Sequence, residues 1–225
     1  MFKSINRLKY GDVLNLPNPK TEYKSFYDSK QADEWGRVIY TDWAAKYKHI
    51  TQLAGCLSPK IDSISKSVIE SYCGYSYKQI NSYMRRHNSK DEQYKEAADI
   101  LTFVIASAPQ IPENIVVYRS VCDDFIQELI EKNRHGMPTL EPGFLSTSLL
   151  IDIYKEKESY SRNPNLLKIY VPKDTFGIYV NTITFRNEYE MLIAPNYYLR
   201  LVEYPYKDHA TEKTIYECKL FSLSY

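Results

Sequence analysis

The chain has 225 residues, with 29 Lys and Arg against 28 Asp and Glu, a net charge of +1. Its 44% hydrophobic and 25% charged residues give the profile of a folded protein with a real core, and the neutral balance excludes a nucleic-acid binder that works through a broad basic face. No run approaches the ~18 apolar residues of a membrane helix, and only 7 glycines leave little material for glycine-rich phosphate loops.

In chain order, the opening MFKSINRLKYGDVL has basic residues but neither an apolar core segment nor a small-residue cleavage site. It does not read as a secretory signal, so a protein secreted or delivered into a target cell would use a route without one. Ser29 or Asp33 is placed to cap a helix whose Trp35, Ile39 and Trp43 share one face. Pro59 opens a second helical stretch with Ile61, Ile64, Val68 and Tyr72 in register, and a third runs from Tyr77 to Arg86. A fourth spans Asp91 to about Ala108, turning Tyr94, Ala97, Leu101 and Val104 inward, until Pro109 and Pro112 end it.

After Pro112 the pattern changes to short strands rich in β-branched and aromatic residues: 115–120, 144–149, 166–171, 176–180, 189–194, 197–204 and 214–221. One helix, from Asp123 to about Asn133, interrupts them. Helices first and strands later predict an α+β fold, residues 1–110 mainly helical and 111–225 strand-rich, in a single domain covering 1–225. Cys56, Cys73, Cys122 and Cys218 lack CxxC spacing and read as structural thiols. The four histidines form no HExxH and no Cys/His cluster, so no metal is expected.

Three pieces of the strand-rich half could carry chemistry. Arg119 ends an apolar run and must reach a rim or a partner, since an unpaired buried guanidinium is very costly; alone it reads as an arginine at a sheet edge. Ser146, Thr147 and Ser148 lie in a strand without the sharp Gly-x-Ser-x-Gly turn of a serine nucleophile. They read as hydrogen-bonding supports. Glu188 and Glu190 run into an apolar strand, where a spacing of two puts both carboxylates on one side. Such a pair can divide the work of a reaction, although a lone ExE is ordinarily a solvated strand edge.

Together, Arg119, the STS 27 residues later and the ExE resemble the signature of mono-ADP-ribosyltransferases of the arginine–serine–glutamate class. More closely they resemble the catalytic domains of the iota-type actin-modifying and Rho-modifying bacterial toxins. The segments SYCGYSYKQINSYMRR (71–86), GFLSTSL (143–149) and IYVPKDTFGIYV (169–180) are similar to family text, and the resemblance spans about residues 72–203. It implies an ADP-ribosyltransferase-like fold, with helices packed on a mixed split sheet. It also implies NAD as co-substrate and an acceptor protein as partner.

Residue by residue, the resemblance implies that Glu190 is the catalytic glutamate, which stabilises the sugar as nicotinamide leaves, and that Ser146 positions it. Arg119 would grip NAD, with Tyr72, Tyr77, Asn81, Ser146, Thr147 and Ser148 around the same cleft. Arg162 would be a phosphate ligand. Glu188 would activate the acceptor, and Phe185 sits where the family's recognition loop carries an aromatic. Some relatives have a second basic residue after the motif arginine, where this chain has Ser120. An acceptor arginine keeps its proton at neutral pH and needs a carboxylate to orient it and take the proton. In the family Gln at the Glu188 position goes with other acceptors, so Glu188 favours arginine. The other readings are an NAD glycohydrolase and a non-catalytic binding module that keeps the fold. The target, with actin, small GTPases and RNA polymerase among the options, is not legible in the residues.

Overall fold

The computed structural model describes residues 2–53, 68–86, 89–153, 163–184 and 187–222. Helix α1 (Phe2–Tyr10) is followed by α2 (Ser29–Leu53), and a π-helical turn (Tyr72–Ser76) runs directly into α3 (Tyr77–Arg86). A 3₁₀ turn (Ser89–Tyr94) leads into α4 (Lys95–Ala106). Strand β1 (Ile115–Val121) precedes α5 (Asp123–Arg134), and then come β2 (Thr139–Glu141), β3 (Leu145–Ser148), β4 (Asn165–Val171) and β5 (Gly177–Tyr179). The chain closes with β6 (Glu190–Ile193), β7 (Tyr197–Leu201), β8 (Tyr206–Lys207) and β9 (Thr214–Phe221).

The α+β architecture expected from the sequence is the one observed. Sequence patterning located seven of the nine described strands but not α1, β2 or β8. Strand β2 is three residues between two prolines, too short for alternation to show. The second predicted helical stretch lies outside the described residues up to Val68. Neither Ser29 nor Asp33 caps α2: the Asp28 carboxylate accepts from the Gln31 amide at 2.8 Å, an N-cap three residues ahead of its donor. Asp33 is used elsewhere, in contacts with Arg37 and Tyr179.

The nine strands run β2-β7-β9-β4-β1-β3-β6-β5, with β8 on β9. Among the described strand pairs β4–β9 is parallel and the others antiparallel, so the sheet is mixed. It is also split: β1 pairs with β4 over seven residues but with β3 at the single pair Tyr118↔Ser148. Alternation sorts the faces. Val116, Tyr118, Leu166, Tyr170 and Ile215 pack in a small cluster with Tyr23, while Ile115, Val117, Val121, Leu167, Ile169 and Cys218 join the main core with Trp35, Tyr40 and Trp43 of α2. Gly36 lets α2 approach β5, since a Cβ there would lie 2.2 Å from the Tyr179 ring.

The small cluster holds a buried charge. Glu217, 4% exposed, accepts from Lys20 at 2.6 Å, Tyr170 at 2.7 Å, Tyr206 at 2.9 Å and Lys168 at 3.2 Å. Burial works to raise its pKa, but the hydrogen bonds from Lys20 and Tyr170 and the two lysine charges outweigh it and hold the carboxyl down at about 2. A folded-state pKa below the ordinary value means stability that is present above pH ~4.5 and lost as pH falls toward 2. Glu217→Gln should therefore cost about 2 kcal/mol at neutral pH, discounted for the half-exposed Lys20. The gap to wild type should close as the pH is lowered; urea unfolding at pH 7 and pH 3 measures it, and a pH-independent gap contradicts this account.

Candidate active site

The seam between β1 and β3 is where the sheet opens. Arg119, on β1, projects from the same face as Ile115, Val117 and Val121, toward the helices. Beyond Tyr118↔Ser148 the two strands part, and a cleft of about 630 Å³ lies between them and the π-turn–α3 segment. Arg119, Ser146, Thr147, Ser148, Glu188 and Glu190 line it on the sheet side, and Tyr72, Tyr77 and Asn81 on the helical side. Nine residues singled out in the sequence, from four separate segments, thus share one opening. Arg162 and Phe185 lie outside the described residues.

The STS segment holds the ExE segment in place. Strand pairing sets Ser146 opposite Leu192, Thr147 opposite Met191 and Ser148 opposite Glu190. The Ser146 hydroxyl donates to Oε1 of Glu190, a carboxylate only 3% exposed. Thr147 donates to the Met191 carbonyl at 2.7 Å, and Ser148 donates to the Glu188 carbonyl at 2.8 Å while accepting from the Leu150 amide at 3.0 Å. All three hydroxyls act as supports, as their surroundings in the sequence suggested. Those of Thr147 and Ser148, expected among cofactor contacts, are engaged within the protein.

One premise is corrected. Glu188 and Glu190 do reach the same cleft, but not by strand alternation, because β6 begins only at Glu190. Glu188 lies in a turn, and Tyr189 between them has a positive φ of 47°, a conformation that costs a tyrosine about 1 kcal/mol or more. The bonds from Ser148 to the Glu188 carbonyl and from the Leu149 amide to the Tyr189 carbonyl hold it there.

The helical wall is fixed by Asn81, which the sequence singled out, together with Arg85 and Glu141, which it did not. Asn81 donates to the Tyr72 hydroxyl at 2.9 Å and accepts from the Phe144 amide at 2.8 Å. One turn on, Arg85 forms a two-pronged pair with Glu141, at 2.8 and 2.9 Å, and Glu141 also accepts from the Gly143 amide. Two residues four apart on α3 therefore grip both ends of the 141–144 turn. That turn presents the Phe144 carbonyl to Arg119 at 3.3 Å. Gly143 has no room for a side chain, since a Cβ would meet Asn81 Oδ1 at 2.7 Å. The only sequence signal was the i, i+4 spacing of Asn81 and Arg85. Burial pushes the Tyr72 hydroxyl pKa up; the Arg119 charge opposes that shift and the Glu190 charge adds to it, so the phenol senses both groups.

Among the described residues Cys73, Cys122 and Cys218 form no disulfide, and Cys56 is outside them. Cys73 adds to the cleft lining with Lys78, Ser120, Ile153 and Asn163. Among the described residues no helix is long and apolar enough to cross a membrane.

The Arg85–Glu141 pair is asymmetric, with side chains 39% and 2% exposed. Removing the arginine strands a carboxylate that water cannot reach, whereas removing the glutamate leaves a guanidinium that water can. Arg85→Ala should cost about 3–5 kcal/mol and Glu141→Ala clearly less. Chemical unfolding of the two variants tests the order, and the reverse order refutes it.

With the site described, the chain can be set beside known proteins. Residues 32–219 match the family model described as ADP-ribosyltransferase exoenzyme. Comparison with curated protein sequences finds no significant match. Among solved structures, the ADP-ribosylating toxin BECa of a Clostridium perfringens binary enterotoxin, determined with NADH, superposes with TM-score 0.68 at 20% identity over 88% of this chain and 50% of that one. This chain thus spans half the length of BECa. The Clostridium limosum C3 exoenzyme gives TM-score 0.63 at 19% identity, covering 88% of this chain and 97% of that one. C3stau2 from S. aureus, determined with NAD, gives 0.63 at 19% identity, with 89% and 99% covered. The fold is shared with these proteins, and the family model spans more than half of the sequence. The chain belongs to the ADP-ribosyltransferase exoenzyme family, the toxin-type ADP-ribosyltransferases.

Proposed function

We propose that this protein is an NAD-dependent mono-ADP-ribosyltransferase that modifies an arginine of a target protein and releases nicotinamide. One observation carries the reading: the buried Glu190 carboxylate is held by Ser146 in a cleft that it shares with Arg119 and the half-buried Glu188. The cleft fits NAD in size, about 630 Å³ within the range of small-molecule sites. It also fits in chemistry, offering a guanidinium for phosphate oxygens and a carboxylate for a sugar that gains positive charge. BECa with NADH and C3stau2 with NAD support the same choice of ligand.

Bound NAD supplies the ADP-ribosyl group and a neutral leaving group. Glu190, fixed by Ser146 and shielded from water, is a preorganised negative charge beside the sugar and needs no reorganisation when positive charge develops there. Arg119, oriented by the Phe144 carbonyl, holds the anionic part of the ligand with its planar fork. Glu188 sits in a turn at the edge of the cleft, where it can align an incoming guanidinium and accept the proton displaced as the new C–N bond forms. That carboxylate supports arginine as the acceptor. Retention of Arg119, Ser146 and Glu190 in one cleft weighs against a non-catalytic module.

Glu190→Gln keeps the shape of the side chain and deletes its charge, so both nicotinamide release and transfer should fall by about 10² to 10³ in a folded protein. Arg119→Lys should weaken NAD binding about tenfold or more by removing the two-pronged contact; equal affinity by calorimetry refutes its placement on NAD.

Glu188→Gln separates the two carboxylates by role. Transfer to arginine should drop by about 10², the loss of a general base, while hydrolysis of labelled NAD persists. Two acids with no chemical task predict no change in either activity. Equal collapse of both activities means that the carboxylates act as one unit, and undiminished transfer removes the arginine reading.

A further inference from the structure

A groove of about 290 Å³ adjoins the cleft, and the two share Tyr77, Lys78, Asn81 and Arg119. Ser82, Arg85 and Arg86 complete its lining. Apart from Arg119 these residues come from α3 in pairs four positions apart, so the groove follows one face of that helix. Four of the seven described residues that line it are cationic, and none is acidic. The four differ in what they can offer a ligand. Arg85 is committed to the buried Glu141 by two bonds. Arg119 donates to the neutral Phe144 carbonyl and keeps its charge for a ligand. Lys78 and Arg86 are exposed, and among the described residues neither forms an ion pair.

With the reacting ribose at Glu190 and the diphosphate at Arg119, the adenosine half of NAD extends beyond Arg119. Toward Ser120, Ile153 and Asn163 the described lining is neutral, whereas the groove carries Lys78 and Arg86. A diphosphate has two negative charges and follows the cations. Arg119 and Lys78, which belong to both openings, match those two charges. Arg86 belongs to the groove alone and is one cation more than NAD requires. Sites that hold NAD in preference to NADP set an Asp or Glu against the ribose 2′-hydroxyl, and its charge repels a 2′-phosphate; NADP sites offer an arginine there. Among its described residues this groove has the arginine and lacks the acid. A 2′-phosphate brings about −1.5 to −2 charges and three acceptor oxygens, which a guanidinium fork can meet in two-pronged fashion.

We propose that the groove takes the adenosine half of the co-substrate and that Arg86 receives a phosphate on its 2′-hydroxyl, so that NADP serves as a donor beside NAD. The inference rests on the NAD-transfer reading and widens its class of co-substrate. The reaction at Glu190 is the same for both donors. The bond between nicotinamide and its ribose breaks, and nicotinamide leaves as a neutral molecule. The acceptor nitrogen bonds to that ribose carbon and yields a proton to Glu188, and the transferred group carries one phosphate more.

The experiment measures nicotinamide release from NAD and from NADP by wild type, Arg86→Gln and Arg86→Glu, at low and high salt. In wild type, kcat/KM for NADP should lie within about tenfold of that for NAD, since a charged contact offsets the cost of the extra phosphate. Arg86→Gln should lower the value for NADP about tenfold more than the value for NAD. Arg86→Glu should widen that gap, because it installs the acid that repels a 2′-phosphate. Exposed charges are screened, so the difference between wild type and Arg86→Gln on NADP should shrink as salt rises. NADP poorer than NAD by more than about tenfold in wild type, or equal losses on both donors in the Arg86 variants, overturns the inference and leaves the NAD reading standing. A folded wild-type protein that releases nicotinamide from neither donor refutes the NAD reading itself, and this inference with it.

Discussion

Strands β1 and β3 touch at one residue pair, Tyr118 and Ser148, and the site depends on how little they share. A continuous ladder would have closed the sheet over Arg119 and Ser146 and left a guanidinium with no exit. Because the strands part, Arg119 and Ser146 face an opening while their backbones stay inside paired strands. Strand β1 keeps its full register with β4, and β3 keeps its own with β6, so neither wall is loose. The opening is made by interrupting a sheet, which gives rigid walls that a mobile loop would not.

Among the described residues, the buried carboxylates Glu190 and Glu141 beside this opening are each tied to a partner on a different element. Ser146 of β3 holds Glu190 of β6, and Arg85 of α3 holds Glu141 of β2. Burying an ion is tolerable only when its hydrogen-bonding capacity is met, so each pair also fixes the relative position of two elements. The Arg85–Glu141 pair sets the 141–144 turn, the turn aims the Phe144 carbonyl, and the carbonyl orients Arg119. On the opposite face Glu217 does for the N-terminal segment what Glu141 does for α3. It draws Lys20 onto the sheet beside Tyr170.

Helix α2 links the cleft to its surroundings. Its buried face carries Trp35, Tyr40 and Trp43 into the core, and its one internal gap, Gly36, receives the Tyr179 ring. That contact fixes the end of β5 and the turn after it, which precedes the segment bearing Glu188. The geometry of the turn bearing Glu188 is thereby coupled to the packing of a helix that does not line the cleft.

Local pattern in the sequence determined the α+β class, the long strands, the helix from Tyr77 to Arg86 and the three motif segments. Each of these is encoded in consecutive residues, through β-branched runs, helical spacing and short polar signatures set into apolar strands. The tertiary structure decided what depends on residues far apart in the chain. It brought Arg119 beside an opening in the sheet, paired Arg85 with a glutamate 56 positions away, and placed the two carboxylates of the ExE in one cleft through a strained turn at Tyr189 rather than a strand. It also moved the cap of α2 to Asp28, leaving Asp33 for Arg37 and Tyr179. The bond from Tyr179 to Asp33 and the burial of Glu141 were not legible in the sequence because they join residues far apart in the chain. They arise only when separate elements close on one another and each polar group must find a partner in place of water.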